Sequence, residues 1–415
     1  MGKRIIVLFS FFVFWLFFFP TMRVITDATH NGWLKNLIII SMLFYFRNDI
    51  GRFFKGHYRW LNISVLAYAL ICVVSILLNE DTISYYTTSK LRDGEMMTYE
   101  GVFSPKATIY FSLSVIVLLL FIERLTLEKK VQLFLDCLWK MSFLLWIWVN
   151  IDAFTHVVID EKIGGYVIGN KFHVCYYNLL VCTLYYYRHP NLQKIKEKIV
   201  LLSFVGVMLL NSIHTQCSTM VVGTMAFLLF VFVIPQSQWR KLSSPTLLVT
   251  SLVLVDLGFF FFTTWILQFP IVQDFIVDVL HEDLTLTGRL SIFENISESF
   301  SRRMWFGFGN GNSGVVSMFY TGVQNPQNGL MEIFLNVGIL GCSAFLSWLF
   351  FAAKEVTQKD RYKYPIVIYI LTIIVVSTVE VPFDKTFMFV MILLAASQNN
   401  KLIMDKNIIY GKRYS

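Results

Sequence analysis

Apolar blocks of roughly 15 to 22 residues, separated by short clusters of charge, recur along almost the whole chain. A helix of that length, at about 1.5 Å per residue, crosses a hydrocarbon core about 30 Å thick. The blocks therefore read as spans, and the expected fold class is all-α: a polytopic membrane protein with a single membrane domain over residues 1–415. Composition agrees. Of the residues, 56% are hydrophobic and 15% charged, whereas a soluble domain needs about 25% charged residues to cover itself in water.

The spans fall approximately at 5–19, 33–46, 60–78, 107–122, 131–150, 170–187, 199–213, 218–234, 246–267, 328–351, 365–379 and 386–396. That is about twelve transmembrane helices, the second and last unusually short. The first block follows Lys3 and Arg4 without a small-residue cleavage site and is read as a retained span. Placing the N-terminus inside puts 23 of the 35 Lys and Arg in cytoplasmic segments, as the positive-inside bias requires. Both termini are then cytoplasmic. Because this basic charge lies in loops between spans, the net charge of +8 does not point to nucleic acid. The six cysteines lie in or beside apolar blocks without C-x-x-C spacing, indicating neither a disulfide framework nor a metal site.

Two outside segments are long, 79–106 and 268–327. The first carries Glu80, Asp81, Asp93, Glu95 and Glu100 with few packing residues and reads as a solvated loop. The second is the main extracytoplasmic loop. Its Ile292, Phe293, Ile296 and Phe300 have helical spacing after Gly288 and Arg289, predicting a short amphipathic helix that lies on the membrane or caps the bundle. The glycine-rich run Trp305-Phe306-Gly307-Phe308-Gly309-Asn310-Gly311-Asn312-Ser313-Gly314 follows, suited to a sharp turn or to close approach of a ligand.

Charges inside spans are costly and usually face a cavity, which singles out Lys140, Asp256 and Glu332. Outer helix ends are richer in polar groups. Asn211, His214, Gln216 and Ser218 surround one tight turn, and Lys162, Asn170, Lys171 and His173 lead into the sixth span. With Arg289, Arg302 and Arg303 they compose a candidate basic mouth, since guanidinium groups fit phosphate oxygens bidentately.

The order Gly288-Arg289-Leu290, the Trp305 to Gly311 run, and Gln327-Asn328-Gly329-Leu330 through Val337-Gly338-Ile339-Leu340-Gly341 resembles the O-antigen ligase and polymerase superfamily. The matching features there are an arginine, a glycine-rich turn, and a His-Asn lead into a helix ending in Gly-Ile-x-Gly. Gly165 to Asn170 is a weaker echo of a glycine and asparagine pattern. The resemblance implies a bacterial plasma-membrane glycosyltransferase that polymerises O-antigen, capsule or exopolysaccharide. It would move glycan from a polyprenyl-diphosphate-linked donor to a lipid-linked acceptor, in membrane lipid, beside chain-length regulator and flippase proteins. A ligase and a lipid-linked glycan flippase or other transporter are the alternatives.

The implied catalytic residues are Arg289, on the donor diphosphate, with Gln327, His281 and Glu294; implied substrate contacts are Lys162, Lys171, His173, His214, Arg302, Arg303 and Asn328. Gln327 stands where the family has histidine, and a carboxamide does not titrate. The base is left open among His281, Glu282, Asp283 and Glu294. The family's arginine between the seventh and eighth spans is also missing around Thr215 to Thr219. The leaving group is already a stabilised diphosphate and the outside loops hold no Asp-x-Asp pair, so neither cofactor nor metal is expected.

Overall fold

The computed structural model describes the chain apart from residues 19–32, 57, 81–83, 93–94, 102, 156–164, 191, 267–268, 275–276, 279–288, 355–362 and 397–415. Lys162, His281, Glu282, Asp283 and the C-terminal tail lie outside the described residues.

Every apolar block is helical: α1 Lys3–Phe18, α2 Trp33–Tyr45, α3 Arg59–Leu78, α4 Pro105–Leu127, α5 Val131–Thr155, α6 Lys171–Arg188, α7 Ile195–His214, α8 Ser218–Leu228 and α9 Pro245–Ile266. After α10 Arg289–Phe300 and α11 Ser313–Thr321 in the main loop come α12 Gly329–Lys354, α13 Tyr364–Ser377 and α14 Lys385–Ala396. Among the described residues, six helices are long and apolar enough to cross a membrane: α3, α4, α5, α7, α9 and α12. Their outer faces carry exposed Leu70, Leu144, Leu254 and Phe261, a surface suited to lipid.

Two of the short helices, α13 and α14, sit at the centre. In α14 every residue from Thr386 to Ala396 is buried, and α13 is buried on nearly all sides. Around α14 pack α1, α4, α12 and α13. A helix that is apolar all round and touches protein on all faces is a core helix.

Within the 79–106 segment the otherwise helical chain folds a short hairpin with exposed Ser89 and Thr98. Strands β1 Thr88–Arg92 and β2 Glu95–Tyr99 form an antiparallel hairpin with Thr88 opposite Tyr99 and Arg92 opposite Glu95. The sequence between them, Asp93-Gly94, is a favoured hairpin-loop dipeptide. Next to β1, Tyr86 sets its ring edge-on to Phe308, centroids 5.1 Å apart. The predicted amphipathic helix is α10. Its Ile292, Phe293 and Ile296 are buried with Phe260, Phe308, Met331 and Leu335, so it caps the bundle.

The glycine-rich run has a structural partner. Inside α12, Gly338 takes φ 66°, ψ −167° and interrupts the helix. The main-chain groups released there bond to the run: Phe308 N donates to Leu335 O (2.7 Å), Ile339 N to Met304 O (2.8 Å) and Leu340 N to Trp305 O (3.3 Å). From α3, Ser75 Oγ lies 2.5 and 2.6 Å from the carbonyls of Phe306 and Asn336, and Asn79 Nδ2 donates to Gly307 O at 3.1 Å. Side chains would forbid this contact. A Cβ on Gly338 would stand 2.4 Å from Trp305 O, and one on Gly307, 2.6 Å from Leu335 O.

Candidate functional site

The fold gathers polar groups from four segments at one end of the bundle. A cavity of about 420 Å³ is lined by Asn170, His173 and Tyr176 at the start of α6, by Ser313 and Asn325 of the main loop, by Glu332 of α12, and by Glu380 and Asp384 between α13 and α14.

His173 is oriented by its own helix start. Asn170 caps α6 by accepting His173 N–H (3.1 Å), and the His173 Nδ1 lies 2.6 Å from Asn170 Oδ1. Nε2 thereby faces Asp384 Oδ2, 4.0 Å away. Asp384 in turn spends its other oxygen on α14, where Oδ1 accepts Phe387 N–H at 2.9 Å in an N-cap bond. Burial raises the Asp384 carboxyl above the ordinary aspartate range, and the neighbouring His173 ring works against that rise. Glu380 Oε1 accepts Asn325 Nδ2 (2.6 Å) and Val381 N–H (3.1 Å). Glu332, in the first turn of α12 where negative charge is favoured, accepts a long bond from Ser313 Oγ (3.4 Å). Its charge interacts with those of Glu380 and Asp384. The Tyr176 hydroxyl is buried in the cavity lining with no hydrogen-bond partner among the described residues.

Asn336 fixes the rim, its Oδ1 accepting Gly311 N–H and Ser313 N–H at 3.0 Å each. Two apolar clefts are also present. One of about 270 Å³ is lined by Phe17, Phe18, Ile168 and Tyr177 and shares His173 and Asp384 with the cavity. The other, about 320 Å³, runs between α9 and α12 and includes Phe261, Phe300 and Phe334. Among the described residues no three His, Cys, Asp or Glu side chains are grouped to hold a metal ion.

Of the residues expected from sequence, Asn170, His173 and Glu332 reach the cavity and others serve different purposes. Asn328 is buried: Oδ1 caps α12 at Met331 N (3.1 Å), while Nδ2 reaches the Asp256 carbonyl (3.3 Å). The Asp256 carboxylate ties α9 to Leu330 N (3.1 Å) and Ser377 Oγ (2.6 Å), a structural clamp. Gln327 occupies the left-handed region, φ 57°, its N–H donating to Asn325 Oδ1 at 2.8 Å. Lys171 Nζ donates to Gln216 O at 2.9 Å and braces the α7–α8 turn. His214 is exposed beside the Phe154 ring, and Asn211 is buried against Asn150. Arg302 is exposed, pairing with Glu298 at 3.1 Å, and Arg303 and Glu294 are exposed too. Arg289 opens α10.

Sequence reading missed Glu380, Asp384 and Tyr176. The first two stand in a short turn, where charge reads as solvated, and only the central burial of α13 and α14 carries that turn into the cavity.

No protein-family model matches the chain, and no curated protein sequence matches it significantly. The likeness to O-antigen ligases and polymerases rests on the residues quoted above.

Proposed function

We propose that this protein is a surface-polysaccharide polymerase of the bacterial plasma membrane. Twelve helices cross the bilayer with both termini cytoplasmic, and the cavity opens on the outer face. Glycan passes from a polyprenyl-diphosphate-linked donor to a sugar hydroxyl of a lipid-linked acceptor. The observation that carries this reading is the meeting of His173, Glu332, Glu380 and Asp384 around one polar cavity with an apolar cleft beside it. Carboxylates, amides and the Tyr176 hydroxyl suit sugar hydroxyls, and the adjoining cleft suits a polyprenyl chain.

In this reading His173 replaces the sequence candidates as base. The acceptor hydroxyl gives its proton to Nε2 while its oxygen bonds to the donor's anomeric carbon. The bond from that carbon to the diphosphate oxygen breaks, and the electron pair leaves with the diphosphate. Asp384 stabilises the imidazolium that forms. Arg289 keeps its assignment to the donor diphosphate, where a guanidinium meets the growing negative charge.

A transporter is the second reading, because α12 is interrupted and broken helices are common in transporters. Here the released groups are taken by residues 304–308 and are not free to coordinate an ion. Glycan analysis of a deletion strain tests the choice. Single repeat units on lipid or core mark a polymerase, finished chains held on carrier lipid mark a ligase, and unaltered surface glycan overturns both.

A further inference from the structure

A polymerase must hold two lipid-borne diphosphates; of the basic groups expected from sequence for them, Arg302 is paired with Glu298 and Lys171 with the Gln216 carbonyl. Twelve of the 35 Lys and Arg stand outside the cytoplasmic segments (35 minus 23), and three of these converge. Lys35 and Lys106 approach the Tyr110 ring to 6.0 and 5.8 Å, and Lys385 lies 6.0 Å from the neighbouring Phe111 ring. Each lysine is in the first turn of its helix, α2, α4 or α14, where the positive end of the helix dipole disfavours a cation. The Lys35 and Lys385 charges also repel one another. Contacts near 6 Å are at the outer limit of cation–π attraction.

No carboxylate among the described residues pairs with any of the three. Asp384, next to Lys385 in sequence, offsets part of that lysine's charge, but its oxygens are turned to His173 and Phe387 N, not to the ammonium. Three lysines and three helix N-termini therefore concentrate positive charge that an anion would neutralise. Lys385 also lines the apolar cleft of Phe17, Phe18, Ile168 and Tyr177, which provides space for a hydrocarbon chain beside that anion.

We propose that Lys35, Lys106 and Lys385 bind the phosphoryl headgroup of a lipid whose chain enters this cleft; on the polymerase reading, the ligand is the diphosphate of the second lipid-linked substrate. The shared chemistry is a phosphate oxyanion on a hydrocarbon, and it has two sources, a polyprenyl diphosphate or a phospholipid. The test uses the full-length protein in phosphatidylcholine nanodiscs, with geranylgeranyl diphosphate as the probe.

Lys35→Gln/Lys385→Gln is expected to weaken binding by about tenfold or more, and Lys35→Arg/Lys385→Arg to retain most of it. Geranylgeraniol, which lacks the phosphates, should bind weakly to every form. Lys106→Gln, at an exposed position, should weaken binding by about threefold and supplies the answer if the double variant does not fold. Unchanged affinity in a folded variant, or equal binding of geranylgeraniol, overturns the site. Competition by inorganic diphosphate alone at the same concentration overturns its lipid-borne character. Strong competition by phosphatidylglycerol overturns the substrate assignment and leaves a phospholipid anchor. Binding is read without turnover, so a protein that holds the probe but polymerises nothing keeps this site while losing the polymerase reading.

Discussion

His173 and Asp384 each use one side-chain atom to begin a helix and keep another for the cavity. That division makes their roles separable. His173→Gln should lower the transfer rate by about a hundredfold or more, the range of general-base catalysis, at unchanged protein level. Asp384→Asn keeps the α14 cap, because an amide oxygen also accepts Phe387 N–H, but removes the charge that supports the imidazolium. Asp384→Asn should therefore lower the transfer rate while the protein level stays unchanged. An unchanged rate would leave Asp384 with its cap alone. Gln327 illustrates the opposite outcome, a motif position explained by backbone geometry. At φ 57° Gln327→Gly should fold and function, whereas Gln327→Val should lower folded yield, because a β-branched residue is a steric outlier there. Comparing both by size-exclusion profile and glycan length checks it. His173 and Glu332 were legible as polar groups at span ends; Asp384 and Glu380 were not, because two charges in a short turn carry no sign of the burial around them.

Among the elements, α12 shows what linear reading loses. The Trp305 to Gly314 run was recognisable as a turn, but its occupant is a broken helix, and no local pattern announces a non-helical Gly338 within an apolar block. Gly338→Ala combines a backbone region open essentially to glycine with a collision against Trp305 O, and should cost about 3 kcal/mol. Its melting temperature in detergent should fall well below that of Gly206→Ala, where nothing lies near an added Cβ. The α4–α5 turn offers a pH test. Lys130 first, then the N-terminal amine and Arg124, holds Glu128 down to about 2. A depressed carboxyl contributes stability above its ordinary value of 4.5 that is lost as pH falls toward 2. Glu128→Gln should remove this part of the acid sensitivity, seen as a smaller drop in melting temperature between pH 5 and pH 3.

At the scale of the whole molecule, the apolar blocks announced the helices, and charge bias gave a consistent orientation. What they withheld was the order of packing. The last block looks like an undersized span because, with α13, it forms the centre of the bundle, where lipid thickness does not set length. Ser301, exposed just after α10, tests the orientation: in a Cys-free background, Ser301→Cys should react with a membrane-impermeant maleimide in intact cells. Labelling only after lysis would put the cavity on the cytoplasmic side. The central claim is that the His173–Asp384 cavity lengthens a lipid-linked glycan, and the direct measurement is the glycan-length distribution of the deletion strain complemented with wild type or with His173→Gln at matched membrane levels. Wild type should restore a full ladder and His173→Gln little beyond single repeat units; a full ladder from His173→Gln would show that the cavity does not lengthen the glycan.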